Sequence, residues 1–354
     1  MIKIILDINL QLGSFSLLIN EEIQLSKINL ILGPNGAGKT SLLRCISGLE
    51  KNSRGLIKVD NSIWQDSSLF IKPHLRNIGY VFQDSRLFSN MSVRNNLLFA
   101  KKRALNNHSF DLDEIIKLLE LESLLNKYPS MLSSGEKQRV AIARATIRKP
   151  IVMLMDEPLS SIDIERKKDI IPYIERIPNE YGIPIIYVTH NIEEVTRLAD
   201  KVISMSNGRI TSIDKISGPG IFLSNENNES STLIEGKIIN HDKDMSKIDL
   251  SGQFISIPKF NLDNGKKIRL NINSKDVAIS TILPKGLSIR NVLKAEIESI
   301  NNLEDFLVEI NLKINKKYIK AKITKKSYED LSLKKGQEVY ALIKSVSVEG
   351  MSLI

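Results

Sequence analysis

Residues 33–40 read Gly-Pro-Asn-Gly-Ala-Gly-Lys-Thr and match G-x-x-x-x-G-K-[ST], the pattern of the phosphate-binding P-loop. The apolar run of residues 28–32 before it is typical of a buried strand, and residues 41–49 after it are typical of a short helix closed by Gly48. In this order, successive backbone N–H groups can surround one anion, and the start of the helix adds positive potential. The chain is therefore predicted to contain an α/β domain built around this loop.

Each part of the motif has an expected task toward a bound nucleotide. Lys39 is expected to reach the β- and γ-phosphates, and Thr40, rather than the neighbouring Ser41, is expected to ligate Mg²⁺. A chance match in a loop rich in glycine and serine is the alternative, and the flanking strand and helix argue against it. The residues predicted to bind ATP are Gly33, Pro34, Asn35, Gly36, Ala37, Gly38, Lys39, Thr40 and Ser41.

Bulk properties limit the class of protein. A chain of 354 residues suits two or three domains, and no apolar run approaches the roughly 20 residues that span a bilayer. The N-terminus reads as a strand and not as a secretory signal, and Cys45, the only cysteine, fits a reducing cytosol and a core position. The net charge of +9 comes from lysines mixed with acids along the whole chain, which indicates solvated surface and no nucleic-acid partner.

The pattern of apolar residues changes along the chain. A helical segment over residues 84–147 interrupts the strands of the α/β domain, and residues 217–231 have the composition of a linker. Beyond the linker, short alternating strands predict a small all-β domain of barrel type. The predicted domains are thus 1–228 and 229–354. Strand patterns cover residues 1–32, 55–83, 151–155, 183–188 and 202–205, and helical patterns cover 92–100, 112–125 and 134–147.

Two carboxylates follow the apolar strand pattern at residues 151–155. Asp156 is placed to act as a partner of Mg²⁺, and Glu157 is placed to polarise a water for attack on the γ-phosphate. The alternative is a solvated Asp-Glu-Pro turn, which the strongly apolar strand makes the weaker interpretation.

A second candidate anion site lies at the start of the helical pattern at 134–147. Ser133, Ser134, Gly135 and Glu136 are first of all a helix N-cap, but they can also surround an anion as the P-loop does. A head-to-tail dimer would use both sites, because the second site of one subunit would cover the γ-phosphate held by the other.

Three further side chains are candidates for the nucleotide site. Gln83 and His190 follow predicted strands, where they can touch Mg²⁺, water or phosphate, although a lone histidine at a strand end is usually structural. Phe15 can stack on an adenine ring or fill the core.

The combined set resembles the ATP-binding subunit of an ABC transporter over residues 1 to about 215. The matching segments are Walker A (33–40), the Q-loop (Gln83), the LSGGQ signature (132–136), Walker B (151–157), the D-loop (159–163, with Asp163) and the switch histidine (His190). The signature departs from the family at Ser134 and at Glu136. The resemblance implies ATP and Mg²⁺ as ligands, a homodimer closed by two ATP molecules, and two membrane permease subunits contacted near residues 84–88.

The tail resembles the Mop domain (molbindin-like, TOBE) of molybdate-importer ATPases over residues 288–354, through residues 288–293 and 342–347. On chemistry alone, hydroxyls and cations at strand ends bind a small oxyanion or are ordinary polar caps. The resemblance implies an oxyanion site that regulates transport. Its anion ligands, carried over by position, are Ser288, Arg290, Thr324, Lys344 and Ser345.

The leading hypothesis is therefore the ATPase of a molybdate or tungstate importer at the cytoplasmic face of the inner membrane, served by a periplasmic or extracellular oxyanion-binding protein. Importers of sulfate, ferric ion or sugars are the alternative within the class. A soluble ABC ATPase acting on ribosomes or DNA would usually carry tandem ATPase domains or coiled-coil insertions. An oxyanion sensor would have lost Lys39, Asp156 or Glu157, and all three are present.

Overall fold

The computed structural model describes residues 2–105, 108–224, 230–259, 262–304, 306–345 and 348–353. The chain separates into two compact units. The first comprises Met1–His190 and Asp200–Ile213, and the second comprises Asn191–Ala199 and Asp214–Ile354. The boundary predicted between residues 228 and 229 lies outside the described residues.

The strands of the N-terminal part are β1 (Lys3–Leu12), β2 (Phe15–Gln24), β3 (Ile28–Leu32), β4 (Arg54–Val59), β5 (Ser62–Gln65), β6 (Ile78–Val81), β7 (Val152–Asp156), β8 (Ile185–Val188), β9 (Lys201–Ser206) and β10 (Arg209–Lys215). The helices are α1 (Lys39–Ser47), α2 (Val93–Lys101), α3 (Leu112–Leu118), α4 (Ser134–Thr146), α5 (Ile164–Tyr181) and α6 (Ile192–Leu198).

One six-stranded sheet carries the nucleotide motifs, in the order β10-β9-β3-β8-β7-β6. Strands β9, β3, β8, β7 and β6 are parallel to their neighbours, so their carboxyl ends lie along one edge. All five residues of β7 are buried, as expected for a strand covered on both faces. Strand β8 lies between β3 and β7, so the strand that carries Asp156 is not adjacent to the strand that precedes the P-loop.

A second, antiparallel sheet has the order β2-β1-β4-β5. Along β1, Ile4, Leu6 and Ile8 alternate with more exposed residues and are buried in a core shared with α1. Cys45 on α1 belongs to this core, and burial raises the pKa of its thiol to about 12, so it is a neutral core residue at physiological pH.

The helical segment predicted between the strands is present as α2, α3 and α4. The helix predicted over residues 112–125 is too long. α3 ends at Leu118, Glu120 has a φ of 50°, and a separate 3-10 turn covers Glu122–Leu124. Because a left-handed residue cannot continue an α-helix, the apolar spacing continues while the helix does not.

The second unit is almost entirely β. Its strands are β11 (Ile221–Ser224), β12 (Ser230–His241), β13 (Met245–Asp249), β14 (Phe254–Pro258), β15 (Lys267–Asn273), β16 (Val277–Ser280), β17 (Asn291–Glu304), β18 (Leu307–Ile314), β19 (Lys317–Thr324), β20 (Glu338–Ile343) and β21 (Val348–Leu353), and the short helix α7 (Lys325–Asp330) follows β19. They form two sheets, β14-β13-β12-β15-β21 with β11 on β12, and β16-β20-β17-β18-β19. The predicted fold class, an α/β domain followed by an all-β barrel-type domain, is confirmed.

Two details of this unit differ from the sequence pattern. The predicted linker at 217–231 contains a strand, β11, because Ile221 and Leu223 are buried and pair with β12. The helix α6 groups with this unit, where Arg269 of β15 donates to the carbonyl oxygens of Thr196 at 3.4 Å and Arg197 at 2.8 Å. Within the described ranges, no helix has the length and apolarity needed to cross a bilayer.

Candidate ATP site and oxyanion cluster

Four strand ends of the parallel sheet carry the candidate ATP-site residues. The loop at 33–38 follows β3, Gln83 follows β6 by two residues, Asp156 ends β7, and His190 follows β8 by two residues. The register pairs Asp156 with Val188, which places the ends of β7 and β8 at the same level. The sheet therefore gathers these segments at one edge, and Gln83 is exposed there.

Two glycines of the loop leave no room for a side chain, because atoms of neighbouring residues approach their backbone closely. A Cβ at Gly33 would lie 2.2 Å from the carbonyl oxygen of Met205, and one at Gly38 would lie 2.8 Å from Cζ of Phe15. Gly38 also has a φ of 95°, in the left-handed region. Phe15 is thus partly buried against the loop. Its stacking on adenine stays a prediction.

Lys39 is folded onto its own loop. Its Nζ donates to the carbonyl oxygens of Gly33 at 2.7 Å and Pro34 at 2.9 Å, and the side chain is 6% exposed. These carbonyls hold the ammonium group beside the backbone N–H groups of the loop, where an anionic phosphate would be the stronger partner.

Asp156 joins the P-loop to the centre of the sheet. Its Oδ1 accepts from Thr40 Oγ1 at 2.9 Å, and its Oδ2 accepts from the Tyr80 hydroxyl at 3.2 Å. Burial raises the pKa of the carboxyl above its ordinary value of 3.8, and the two hydrogen bonds oppose that shift. The sequence pattern did not predict a role for Tyr80, because the sequence of an apolar strand does not show which residue a tyrosine hydroxyl contacts in the folded protein.

Oxygen donors of this kind suit Mg²⁺. Thr40 supplies a hydroxyl and Asp156 a carboxylate, and Mg²⁺ is usually bound through one or two carboxylates plus substrate phosphates. Among the described residues, no group of three or more His, Cys, Asp or Glu could hold an ion. Thr40 and Asp156 therefore fit a nucleotide-associated Mg²⁺.

Glu157 and His190 form a contact at the same edge. His190 Nδ1 lies 3.3 Å from Glu157 Oε2, and the side chains are 55% and 20% exposed. Glu157 has a φ of 45°, and its N–H donates to the Val188 carbonyl at 3.0 Å. The Ser160 hydroxyl donates to the Glu157 carbonyl at 2.9 Å. This backbone turn lifts the carboxylate out of the buried strand toward solvent and toward His190.

The signature residues begin α4 with a reciprocal capping box. The N–H of Ser133 donates to Glu136 Oε2 at 2.7 Å, and the N–H of Glu136 donates to Ser133 Oγ at 3.3 Å. The Ser133 N–H is the main reason that the pKa of Glu136 lies below its ordinary value of 4.5. Ser134 is exposed, Gly135 is buried, and Asp163 occupies the N-cap of α5.

A cavity of about 380 Å³ lies between the strands and the helical segment. Aromatic and basic side chains make up much of its wall. Guanidinium groups lie over aromatic rings there, Arg86 at 4.1 Å from the Phe82 ring centre and Arg103 at 3.5 Å from that of Phe99. The lining includes Tyr80, Phe82, Arg86, Phe88, Phe99 and Arg144.

Four of the five candidate oxyanion ligands cluster at one end of the β17–β20 pair. Asn291, which starts β17, pairs with Ile343, which ends β20, so Arg290 and Lys344 are neighbours across the strands. Both cations and Ser288 are exposed, and Ser345 Oγ accepts from Asn291 Nδ2 at 3.4 Å. Of the 342–347 segment, residues 346 and 347 lie outside the described residues.

Thr324 is not brought to this cluster by the strand pairing. It pairs with Leu307, which pairs with Glu304 at the opposite end of β17 from Asn291. Its hydroxyl accepts from the Ser327 N–H at 3.1 Å and thereby caps α7. Helix capping is thus the role that the structure gives this residue within one chain.

Comparison with known families gives two matches. Residues 18–160 match the ABC transporter family, and residues 287–349 match the TOBE domain. A protein of Photobacterium profundum named "Molybdenum import ATP-binding protein ModC" is 39% identical over 97% of this chain and 98% of its own length. A protein of the same name from Haemophilus ducreyi is 41% identical over 97% of this chain and 99% of its own length.

Solved structures share the fold of the N-terminal part. A dimeric ATP-binding cassette in a post-hydrolysis state, bound to ADP and phosphate, superimposes with a TM-score of 0.51 at 25% identity and covers 62% of this chain and 100% of its own. The structure of cbiO1 from Clostridium perfringens, part of an ABC transporter complex, has a TM-score of 0.51 at 30% identity, with 60% and 88% covered. The resemblance inferred from the motifs is confirmed.

Proposed function

This chain belongs to the family of molybdenum import ATP-binding proteins of the ABC transporter class, and we propose that it hydrolyses ATP to power the import of molybdate. The observation that carries the ATPase part is the 2.9 Å hydrogen bond between Thr40 and Asp156. It joins the P-loop helix to the end of β7, directly before Glu157, so the phosphate-binding and water-activating groups share one edge of the sheet.

Phosphate binding is the task of the loop and of Lys39. The backbone N–H groups of residues 35–38 and of the start of α1 surround the phosphates. Lys39 exchanges its two carbonyl acceptors for β- and γ-phosphate oxygens, which are stronger partners because they are charged. Phe15, which already borders Gly38, offers a flat apolar face to the adenine ring.

Thr40 and Asp156 would hold Mg²⁺, with Gln83 reaching it from the end of β6. When bound, the ion would neutralise the negative charge that develops on the phosphate oxygens in the transition state. The chain's own residues position it, since Asp156 is fixed through both carboxylate oxygens.

Glu157 orients and polarises the water that attacks the γ-phosphate, and His190 holds the carboxylate in place from 3.3 Å away. Gln83 and His190, which follow the two strands on either side of β7, sense whether the γ-phosphate is present.

The complete site requires two copies of the chain. Ser133, Ser134, Gly135 and Glu136 of one copy cover the γ-phosphate bound by the other, and Asp163 lies at the start of the helix that follows the D-loop. The related cassette solved as a dimer with ADP and phosphate supports this arrangement.

Transport requires two permease subunits, and the aromatic and basic cavity near Arg86 and Phe88 is the proposed contact for each of them. A periplasmic or extracellular oxyanion-binding protein delivers molybdate or tungstate, and this chain acts at the cytoplasmic face of the membrane. The cluster at Ser288, Arg290, Lys344 and Ser345 binds the oxyanion and holds the ATPase at rest when the ion is abundant.

Uptake in the native cell tests the function. Cells in which this chain is replaced by its Glu157→Gln variant should accumulate little molybdenum, while sulfate, iron and sugar uptake stay unchanged. Loss of one of those other uptakes with normal molybdenum content would assign the chain to a different importer.

A further inference from the structure

Tyr80 lies between the ATP site at Asp156 and the cavity that is the proposed permease contact. It lies on β6, one strand away from β7, in the parallel register that pairs Tyr80 with Leu154. From there its hydroxyl donates to Oδ2 of Asp156, the last residue of the neighbouring strand, at 3.2 Å.

Asp156 is also hydrogen-bonded to the residue that follows the P-loop lysine. Asp156 accepts from Thr40 through Oδ1 and from Tyr80 through Oδ2, so each carboxylate oxygen has its own donor. A carboxylate held at both oxygens has little freedom to rotate about its last side-chain bond. Its orientation toward a bound ion is therefore set before the ion arrives.

The ring of Tyr80 is itself held in place. Its centre lies 4.2 Å from the ring centre of Phe82, and it forms part of the wall of the 380 Å³ cavity. The hydroxyl thus faces the ATP site, while the ring faces the cavity that is the proposed permease contact.

We propose that Tyr80 is a positioning residue of the ATPase, which orients Asp156 toward Mg²⁺ through its hydroxyl and connects the cavity wall to the metal partner. The proposal rests on the proposed Mg²⁺ role of Thr40 and Asp156. Partners that orient a metal-binding carboxylate typically change metal affinity by about 10- to 100-fold when they are removed.

Tyr80→Phe tests the hydroxyl alone, since it keeps the ring against Phe82. Binding of a non-hydrolysable fluorescent ATP analogue to the full-length chain is measured first in EDTA and then over a series of Mg²⁺ concentrations. The expected result is unchanged affinity in EDTA and a half-saturating Mg²⁺ concentration raised about 10-fold or more.

Tyr173→Phe is the matched control. Tyr173 on α5 also gives its hydroxyl to a carboxylate, that of Glu120, but neither residue belongs to the ATP site. This variant should keep the parental Mg²⁺ dependence. Thermal unfolding of both variants shows whether the chain is folded to the same extent.

Two outcomes overturn the proposal. An unchanged Mg²⁺ dependence in Tyr80→Phe means that the hydroxyl does not position Asp156. An equal loss of affinity with and without Mg²⁺ means that Tyr80 supports only the loop. Asp156→Asn tests the premise separately. If this variant keeps the parental Mg²⁺ dependence, Asp156 does not hold the ion, and the proposed Mg²⁺ site itself is wrong.

Discussion

Nδ1 of His190 lies 3.3 Å from Oε2 of Glu157, and the two residues come from the ends of neighbouring parallel strands, 33 positions apart in sequence. The contact pairs the proposed water-activating carboxylate with the side chain that would sense the γ-phosphate. It depends on the left-handed turn at Glu157, which directs the carboxylate away from the buried strand.

Glu157→Gln should lower ATP turnover at least about 100-fold, because an amide cannot accept the proton of the attacking water. ATP-dependent dimerisation should persist, since the phosphate-binding loop is intact. Phosphate release and sedimentation with ATP measure the two properties. Glu122→Gln, an exposed carboxylate outside the site, serves as control. Undiminished turnover in Glu157→Gln would remove Glu157 as the base.

Asp156→Asn should stabilise the nucleotide-free protein while it abolishes Mg²⁺-dependent nucleotide binding. The carboxylate is 9% exposed and its pKa is raised mainly by burial, so the ionised form carries a desolvation cost that the neutral amide lacks. We expect a rise in unfolding midpoint of about 2–4 °C, which corresponds to about 1 kcal/mol for a domain of 150–250 residues.

The pH dependence of this effect follows from the sign of the shift. When the pKa of a carboxyl in the folded protein lies above its unfolded value of 3.8, the folded protein becomes less stable as pH rises through the folded pKa. The advantage of Asp156→Asn should therefore be full at pH 7 and shrink toward pH 4. Asp60→Asn, an exposed change, should show no such trend. An advantage that grows on acidification would contradict the account.

Glu136→Gln should strengthen ATP-dependent dimerisation about five-fold, roughly 1 kcal/mol, because it removes a negative charge from the surface that meets the partner's γ-phosphate. The amide oxygen can still accept from the Ser133 N–H, so the helix start is retained. Sedimentation in the Glu157→Gln background measures the dimer. Weaker dimerisation would show that the carboxylate acts mainly through the capping box and its contact with Lys127.

Arg76→Met should destabilise the chain by at least about 2 kcal/mol, since buried carbonyls left without a donor each cost about 1–3 kcal/mol. Arg76 is fully buried and donates to the carbonyl oxygens of Ile46 at 2.7 Å, near the end of the P-loop helix, and of Ile71 at 2.9 Å. Urea unfolding measures the change. Arg54→Met, an exposed site, should stay within about 0.5 kcal/mol of the parent. A similar value for Arg76→Met would mean that water satisfies those carbonyls.

Arg290→Ala and Lys344→Ala should each weaken molybdate binding about 10-fold or more, because they remove one of two neighbouring cations from a site for a dianion. Thr324→Val should change molybdate affinity less than about two-fold, since Thr324 lies on β19, level with the other end of β17. Equilibrium dialysis of the full-length chain, with tungstate as competitor, measures affinity. Lys285→Ala, an exposed cation in the preceding loop, is the control. Equal loss in Thr324→Val and Arg290→Ala would show that a second copy completes the site.

The motifs and most strands could be predicted from sequence because their determinants are local. The P-loop needs glycines at a few nearby positions, and β7 follows from the run of five apolar residues at 151–155. Some boundaries of the elements differ from the sequence pattern. α3 ends early at a single left-handed residue, Glu120, and the predicted linker hides β11, because both features depend on contacts beyond the local pattern.

Residue identity and order therefore determined the α/β class, the phosphate loop and the order of the nucleotide motifs. Only the tertiary structure decided which side chains meet. Tyr80 reaches Asp156 because β6 and β7 pair in one register, although 76 positions separate the two residues. Tertiary structure also decided that Arg76 donates to a carbonyl near the end of α1 and that Thr324 is not paired near Arg290. Strand register and helix packing set such contacts, and these depend on how distant segments bury their apolar faces together.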